Sequence, residues 1–145
     1  MKKICFVSSC GGHLTEILNY CQDLKDYDFF FVINEKRNIN FLKKKYYFIS
    51  HSTFDLKIFV VLLQSLKILL KEKPDVIIST GASPALPFFI WAKILSIKTI
   101  FLESITRVHA LSKTGKIIKY LTKNFYVQNK LLSRTGNFKF IDPQI

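Results

Sequence analysis

The sequence has few cysteines and no paired cysteine motif. It contains three cysteines, Cys5, Cys10 and Cys21, among 145 residues, and none of them forms a CxxC pair. A small, odd cysteine count argues against a secreted domain held by disulfides. The absence of CxxC pairs and of clustered histidines and cysteines argues against a zinc site. We therefore predict reduced, mostly buried thiols in a cytosolic protein, and no metal centre.

The sequence also lacks a long apolar run. The nearest candidates, residues 58–70 and 84–97, are interrupted by Lys67 and Lys93, and neither reaches the roughly 18 apolar residues of a membrane-spanning helix. Hydrophobic residues nevertheless make up 49% of the chain, which excludes an intrinsically disordered protein. We predict a folded domain that does not span a membrane but is able to lie on one.

Acidic residues are scarce. The chain has 22 Lys and Arg against 10 Asp and Glu, a formal net charge of +12, and within residues 76–145 only Glu103 and Asp142 are acidic. Such a field favours phosphate-rich partners, namely nucleic acid, anionic lipid or phosphorylated substrates. A basic surface that merely keeps the protein soluble is the alternative.

Short apolar runs alternate with longer helical patterns along the chain. Strands are predicted at residues 3–8, 28–34, 46–50, 75–80, 99–103, 125–128 and 138–141, and helices at 15–24, 38–45, 55–71, 84–95 and 113–123. From Leu131 to the last strand the pattern predicts a loop. Apolar strands that alternate with helices are typical of a parallel sheet covered on both faces. We predict a doubly wound, Rossmann-like α/β fold of six or seven strands, in one domain spanning residues 1–145.

The first candidate motif lies where the first strand turns into the first helix. Gly11 and Gly12 precede His13 there. Glycines allow a ligand to approach the backbone, and a helix N-terminus favours an anionic group such as a pyrophosphate. The spacing is not GxGxxG, so an NAD site is not expected. His13 is either a general base, a hydrogen-bond donor to a phosphate or sugar, or an ordinary capping residue.

A second turn of this kind follows the fourth strand. Ser79, Thr80 and Gly81 end that strand, and Ser83 is placed to cap the next helix. Because parallel strands all end at the same edge of a sheet, this turn is expected to lie beside the first.

The third motif ends the fifth strand. Glu103 follows an apolar run, and Arg107 lies four residues later. Glu103 is either a structural carboxylate paired with Arg107 or a backbone amide, or a polar group that holds a sugar hydroxyl. Arg107 is suited to bind a phosphate through its forked guanidinium.

Taken in order, these motifs resemble a known family. The glycine–histidine turn, the TGASPA turn, and the LES segment with Arg107 followed by SKTGKIIKYLTKNFYVQ are similar to PssD/CpsF-type polysaccharide biosynthesis proteins. Those are bacterial relatives of the membrane-anchor subunit of the dolichol-pathway UDP-GlcNAc transferase. The motifs are also similar to the N-terminal lobe of MurG-type transferases. The resemblance covers about residues 3–130.

The resemblance implies half of an enzyme. It implies that the chain is the acceptor-side lobe of a GT-B glycosyltransferase whose other lobe, a separate chain, holds most of the UDP-sugar site. Gly11 and Gly12 would then cradle the acceptor's phosphate, with His13 and Glu103 as the catalytic candidates. The opposite wall and its surroundings would be formed by Ser79, Thr80, Gly81, Ser83 and Arg107. Neither a cofactor nor a metal is implied.

The expected function is therefore a subunit that helps to transfer a sugar from a UDP-sugar to a lipid-linked pyrophosphoryl acceptor in capsular or exopolysaccharide synthesis. We expect it at the cytoplasmic face of the cell membrane, attached through a surface patch or through its catalytic partner. Two alternatives stay open: a non-catalytic scaffold that recruits the partner to the membrane, and a basic nucleic-acid-binding module. The latter lacks an aromatic RNA-binding motif, a zinc site and a helix-turn-helix pattern.

Overall fold

A parallel sheet of seven strands runs through the computed structural model, which describes residues 2–21, 24, 26–34, 44–50 and 56–143. The strands are β1 (Lys3–Ser8), β2 (Asp28–Ile33), β3 (Tyr46–Phe48), β4 (Val76–Ser79), β5 (Lys98–Glu103), β6 (Phe125–Val127) and β7 (Lys139–Phe140). Their spatial order is β3-β2-β1-β4-β5-β6-β7, and every neighbouring pair is parallel. The order reverses between β1 and β4, which places a crevice at the carboxyl ends of these two strands.

Five helices accompany the strands in the described part of the chain. They are α1 (Gly12–Cys21), α2 (Ile58–Glu72), α3 (Ala85–Ile94), α4 (Lys113–Ile118) and α5 (Lys130–Gly136). None of these helices has both the length and the apolar character needed to cross a bilayer. The predicted fold class, a Rossmann-like parallel α/β sheet, is confirmed.

Apolar side chains project from both faces of the sheet, as the unbroken apolar strands predicted. In β2, Phe30 and Val32 belong to the core beneath α2 and α3, whereas Phe29 and Phe31 belong to the core beneath α1. Successive residues of a strand point to opposite faces, so a strand covered on both sides needs apolar residues at every position. Each fully buried Phe contributes about 2–3 kcal/mol through the water-accessible area that it loses.

The chain after β6 differs from its prediction. Residues 131–137 were predicted as a loop, but Lys130–Gly136 forms helix α5. The Asn129 side chain accepts hydrogen bonds from the backbone N–H groups of Leu131 and Leu132, and Asn137 ends the helix in the left-handed conformation. Asparagine is a favoured residue at both ends of a helix, so the two caps stabilise a helix whose apolar pattern is too short to detect.

Several predicted helix boundaries also shift. Helix α1 begins at Gly12 rather than at residue 15, and α4 ends at Ile118 rather than at residue 123. The helix predicted at 38–45 falls mostly outside the described residues, as does Asp55, the predicted cap of α2. The cap position of α2 is Lys57.

A buried carboxylate ties α2 to the sheet. Glu72 accepts hydrogen bonds at 2.6 Å from the amino groups of Lys3 and Lys45, and another from the Tyr47 hydroxyl. Burial by itself would raise the pKa of Glu72, but these donors outweigh it and lower the pKa to about 2. The cluster joins the end of α2 to β1 and to the start of β3.

Candidate functional site

The turn between β1 and α1 leaves open space beside its backbone. Gly11 has a φ of +106°, a left-handed conformation that glycine adopts without strain. A Cβ added at Gly11 or at Gly12 would meet no atom within 4 Å. Packing therefore does not require glycine at these positions, and the empty space above the start of α1 is available to a ligand.

The second predicted motif lies directly against the first. The Thr80 hydroxyl donates a hydrogen bond of 2.8 Å to the main-chain carbonyl of His13. A Cβ at Gly81 would lie 3.0 Å from Cε1 of the His13 ring, so the glycine makes room for the imidazole. Gly81 and Ala82 both have positive φ, +124° and +70°. Positive φ is strained for alanine, and strain of this kind is concentrated at functional sites.

The two serines of the second motif have different positions. Ser79 is fully buried, and its hydroxyl exchanges hydrogen bonds of 3.2 Å with the main chain of Gly81. It shapes the turn and does not face the cleft. Ser83 is half-buried, and its carbonyl accepts a bond from the N–H of Leu86. The prediction that Ser83 caps α3 is wrong, because Pro84 occupies that position without a side-chain capping bond.

Glu103 is buried beneath the start of α4. It is 1% exposed, and its carboxylate accepts hydrogen bonds from the backbone N–H and the hydroxyl of Ser112, at 3.0 and 3.1 Å, and from the N–H of Ser104. Burial raises its pKa, although these bonds and the charge of Arg107 partly oppose the rise. Of the two open interpretations, the structure favours a structural carboxylate paired with backbone amides. A catalytic role for Glu103 stays a prediction.

A cleft of about 340 Å³ opens at this edge of the sheet. It is lined by His13, Ala82, Thr106, Arg107, Leu111, Ser112, Lys113, Thr114 and Lys116. Arg107, Lys113 and Lys116 are exposed there, so three cations face one cavity. The two lysines were not predicted as site residues, although the quoted SKTGKIIK segment contains them.

Glu16 is a further residue that the sequence did not predict as part of the site. Glu16 lies one turn after His13 on α1, and its Oε2 atom is 3.9 Å from Nδ1 of the histidine. Its other oxygen, Oε1, accepts hydrogen bonds from the Ser104 hydroxyl at 2.7 Å and from the Ile105 N–H at 3.3 Å. The His-x-x-Glu spacing on a helix was the available signal, because residues three apart share a helix face. Glu16 thus connects the first motif to the third.

The assembled site is cationic and carries one imidazole at its edge. No cluster of three or more potential metal ligands occurs in the part of the chain that the structure describes. Cationic side chains and a helix N-terminus bind phosphate groups, and a positioned histidine transfers protons. The arrangement is chemically suited to hold a phosphorylated ligand and to take a proton from one of its hydroxyl groups.

Comparison with known proteins identifies the family. The family profile described as "Oligosaccharide biosynthesis protein Alg14 like" matches residues 44–141. The chain belongs to this family. It is also similar to the mouse protein named UDP-N-acetylglucosamine transferase subunit ALG14, with 34% identity over 70 residues. This match covers 44% of the chain and 32% of the mouse protein. The narrower PssD/CpsF assignment stays a prediction.

Solved structures share the fold of this Alg14-like chain. MurG from Acinetobacter baumannii superposes with a TM-score of 0.78 at 15% identity, over 90% of this chain and 43% of MurG. The UDP-N-acetylglucosamine 2-epimerase of Rickettsia bellii superposes with a TM-score of 0.76 at 17% identity, over 99% of this chain and 45% of the epimerase. The chain thus spans less than half the length of either structure. At such low identity the likeness establishes the fold and nothing about chemistry.

Proposed function

We propose that this chain is the acceptor-side subunit of a two-chain glycosyltransferase. The complex transfers a sugar from a UDP-sugar to a lipid-linked pyrophosphoryl acceptor, in the synthesis of a capsular or exopolysaccharide. The observation that carries the proposal is the cationic cleft lined by His13 at the β1–β4 crevice, in a chain of the Alg14-like family.

The cleft suits a diphosphate. Arg107, Lys113 and Lys116 are exposed around the cavity, and the unobstructed backbone at Gly11 and Gly12 borders the start of α1. Charged hydrogen bonds and the partial positive charge of a helix start both favour phosphate oxygens. The diphosphate of the acceptor binds here, with its sugar directed to His13.

His13 acts as the general base. Its imidazole takes the proton from the attacking hydroxyl of the acceptor. The hydroxyl oxygen forms a bond to the anomeric carbon of the donor sugar as the bond from that carbon to the diphosphate of UDP breaks. The electron pair of the broken bond leaves with UDP. General base catalysis of this kind contributes about 10²–10⁴-fold to a rate.

The walls of the cleft are supported by Thr80, Gly81 and Glu103. Thr80 fixes the main chain of His13, and Gly81 leaves space for its ring. Glu103 holds Ser112, which caps α4, the helix that carries the two cleft lysines. We propose a positioning role for Glu103, because its carboxylate is turned away from the solvent.

We propose that a second chain binds the donor nucleotide. A relative of this chain is named as a subunit of UDP-N-acetylglucosamine transferase, which supports a division of the active site between two polypeptides. We propose a catalytic partner that binds the UDP-sugar and covers the open cleft.

Membrane contact is proposed for an exposed apolar face of α2. Phe59 and Leu63 are 65% and 67% exposed there, and Leu70 is 55% exposed. These residues follow the i, i+4 and i+11 spacing of a single helix face, and Lys67 lies on the same side. An apolar stripe flanked by lysines is typical of helices that lie on anionic bilayers, where each basic group adds about 1 kcal/mol.

The test begins with the complex. The tagged chain is purified from its own cells, its stoichiometric partner is identified by mass spectrometry, and the pair is assayed for sugar transfer to a lipid diphosphate. We expect transfer by the pair and little by either chain alone.

In K113Q/K116Q, the acceptor KM is expected to rise about tenfold, equal to ~1.4 kcal/mol. The control K98Q changes a lysine at the amino-terminal end of β5, away from the cleft, and is expected to behave as wild type.

Three results would contradict the proposal. Full transfer by the isolated chain would exclude a split enzyme. Unchanged transfer in H13A, with the complex intact, would leave the chain as a recruiting scaffold. Salt-sensitive binding to oligonucleotides without any effect of lipid diphosphate would favour a nucleic-acid-binding module.

A further inference from the structure

We propose that Glu16 is the positioning residue for His13. It directs the proton of the neutral imidazole to Nδ1, so that Nε2 faces the cleft without a proton and is ready to accept one. The inference rests on the proposed function of His13 as a base. It assigns to the site a carboxylate that the sequence motifs did not include.

The carboxylate of Glu16 is held in a fixed orientation. Its Oε1 atom accepts the hydroxyl hydrogen of Ser104 and the backbone N–H of Ile105. Both donors come from the loop after β5, and a backbone N–H can only donate. Oε1 is thereby engaged on the side of that loop, and Oε2 is left on the side of the imidazole.

Two buried polar atoms face each other without a partner. Nδ1 of His13 and Oε2 of Glu16 are inaccessible to solvent, and neither has a hydrogen bond. They are 3.9 Å apart, about 1 Å beyond a good hydrogen bond. Buried polar atoms are almost always paired, and catalytic hydrogen bonds are often long before the substrate binds. A small rotation of the ring pairs these two atoms with each other.

The rest of the imidazole differs from its Nδ1 atom. The His13 side chain is 32% exposed and lines the cleft although Nδ1 is buried, so the exposed part of the ring consists of other atoms. We infer that Nε2 is among them. An ionised carboxylate only accepts hydrogen bonds, so contact with it requires the proton on Nδ1 and leaves the lone pair on Nε2.

E16Q is expected to move the proton of His13 to the other ring nitrogen, although glutamine has the same shape as glutamate. The amide oxygen of the glutamine replaces Oε1, because Ile105 N–H requires an acceptor at that position. The amide NH₂ group then occupies the position of Oε2 and donates to Nδ1. The imidazole must now accept at Nδ1, and its proton moves to Nε2, where it blocks proton abstraction.

The test reads the tautomer directly. Two-bond ¹H–¹⁵N correlation spectra of the full chain at alkaline pH, with His13 assigned through H13A, distinguish a protonated from a bare ring nitrogen. We expect the proton on Nδ1 in the wild type and on Nε2 in E16Q. The control T15A removes a hydroxyl from the exposed side of α1 and is expected to keep the wild-type tautomer.

Transfer by the chain with its partner gives the second readout. We expect E16Q to lower kcat about tenfold or more while the acceptor KM stays within about twofold. A wild-type proton on Nε2 overturns the inference even if E16Q does not fold, and so does a wild-type tautomer in E16Q. Full transfer in H13A instead contradicts the proposed base, and the spectra then still decide the contact between His13 and Glu16.

Discussion

The Thr80 hydroxyl donates a 2.8 Å hydrogen bond to the main-chain carbonyl of His13, although the two residues are 67 positions apart in the chain. Thr80 follows β4 directly, and His13 lies in the first turn of α1. The bond therefore joins two strand-to-helix turns across the crevice between β1 and β4. It holds in place the backbone segment that carries the proposed base.

T80V should weaken this connection. Valine keeps the shape of threonine but removes this donor to the His13 carbonyl, at a position where Thr80 is fully buried. We expect a loss of about 1–2 kcal/mol in the free energy of unfolding, measured in urea, together with lower kcat in the complex. T135V removes a similar bond from an exposed position on α5 and is expected to cost less than about 0.5 kcal/mol. Equal losses in both variants would show that the buried bond has no special importance.

G115A and G12A form a matched pair. A Cβ at Gly115 would lie 2.0 Å from Oε2 of Glu103, whereas a Cβ at Gly12 would meet nothing within 4 Å. Alanine favours helices at both sites, but only Gly115 is in a filled interior. We expect G115A to lose about 1–3 kcal/mol of unfolding free energy and G12A to lose none. A G115A protein as stable as the wild type would mean that Glu103 has another accessible rotamer.

Acid should destabilise the fold through Glu72. Its pKa is lowered to about 2 from an ordinary value of 4.5, so the native state binds fewer protons than the unfolded state between these values. The stabilisation is complete above about pH 4.5 and disappears as the pH falls through about 2; it amounts to at most about 3 kcal/mol. Urea unfolding at a series of acidic pH values measures the slope. E72Q should be less stable near neutral pH and show a shallower slope; an unchanged slope would assign the effect to other carboxylates.

F59S/L63S should reduce membrane binding without unfolding the protein. Both side chains are mostly exposed, so their loss removes little from the core. We expect several-fold weaker co-sedimentation with phosphatidylglycerol vesicles and an unchanged urea midpoint. The control Y120S/L131S removes two other exposed apolar side chains, 74% and 45% exposed, from a different part of the surface. Equal losses in both double variants would mean that binding does not depend on α2.

The fold was largely predictable because the strands are nearly continuous apolar runs. Segments such as DFFFVI in β2 are buried on both faces, and such a pattern leaves few alternatives to a parallel sheet. Helix α5 was missed because a helix of seven residues relies on its caps, Asn129 and Asn137, rather than on an apolar period.

The location of the site, at the carboxyl ends of the strands, was predictable from the sequence, but the contacts between its side chains were not. Gly81 and Thr80 were expected near His13 because parallel strands end together; Thr80 donates a hydrogen bond to it, and Gly81 leaves the space that its ring occupies. The burial of Glu103 depends on how the loop to α4 folds over β5, and no local pattern encodes that path. The partner of Glu16, Ser104, is 88 residues away in the chain.

The two outermost strands of the sheet are short. β3 has three residues and β7 has two, so each of these outermost strands presents few unpaired main-chain groups to another polypeptide. Short edges discourage association by strand addition. We therefore expect the proposed partner to bind through side chains, on helix faces and on the loops at the carboxyl ends of the strands. Larger substitutions in the loops around the cleft are then expected to weaken assembly, which separates them from conservative changes such as K113Q/K116Q.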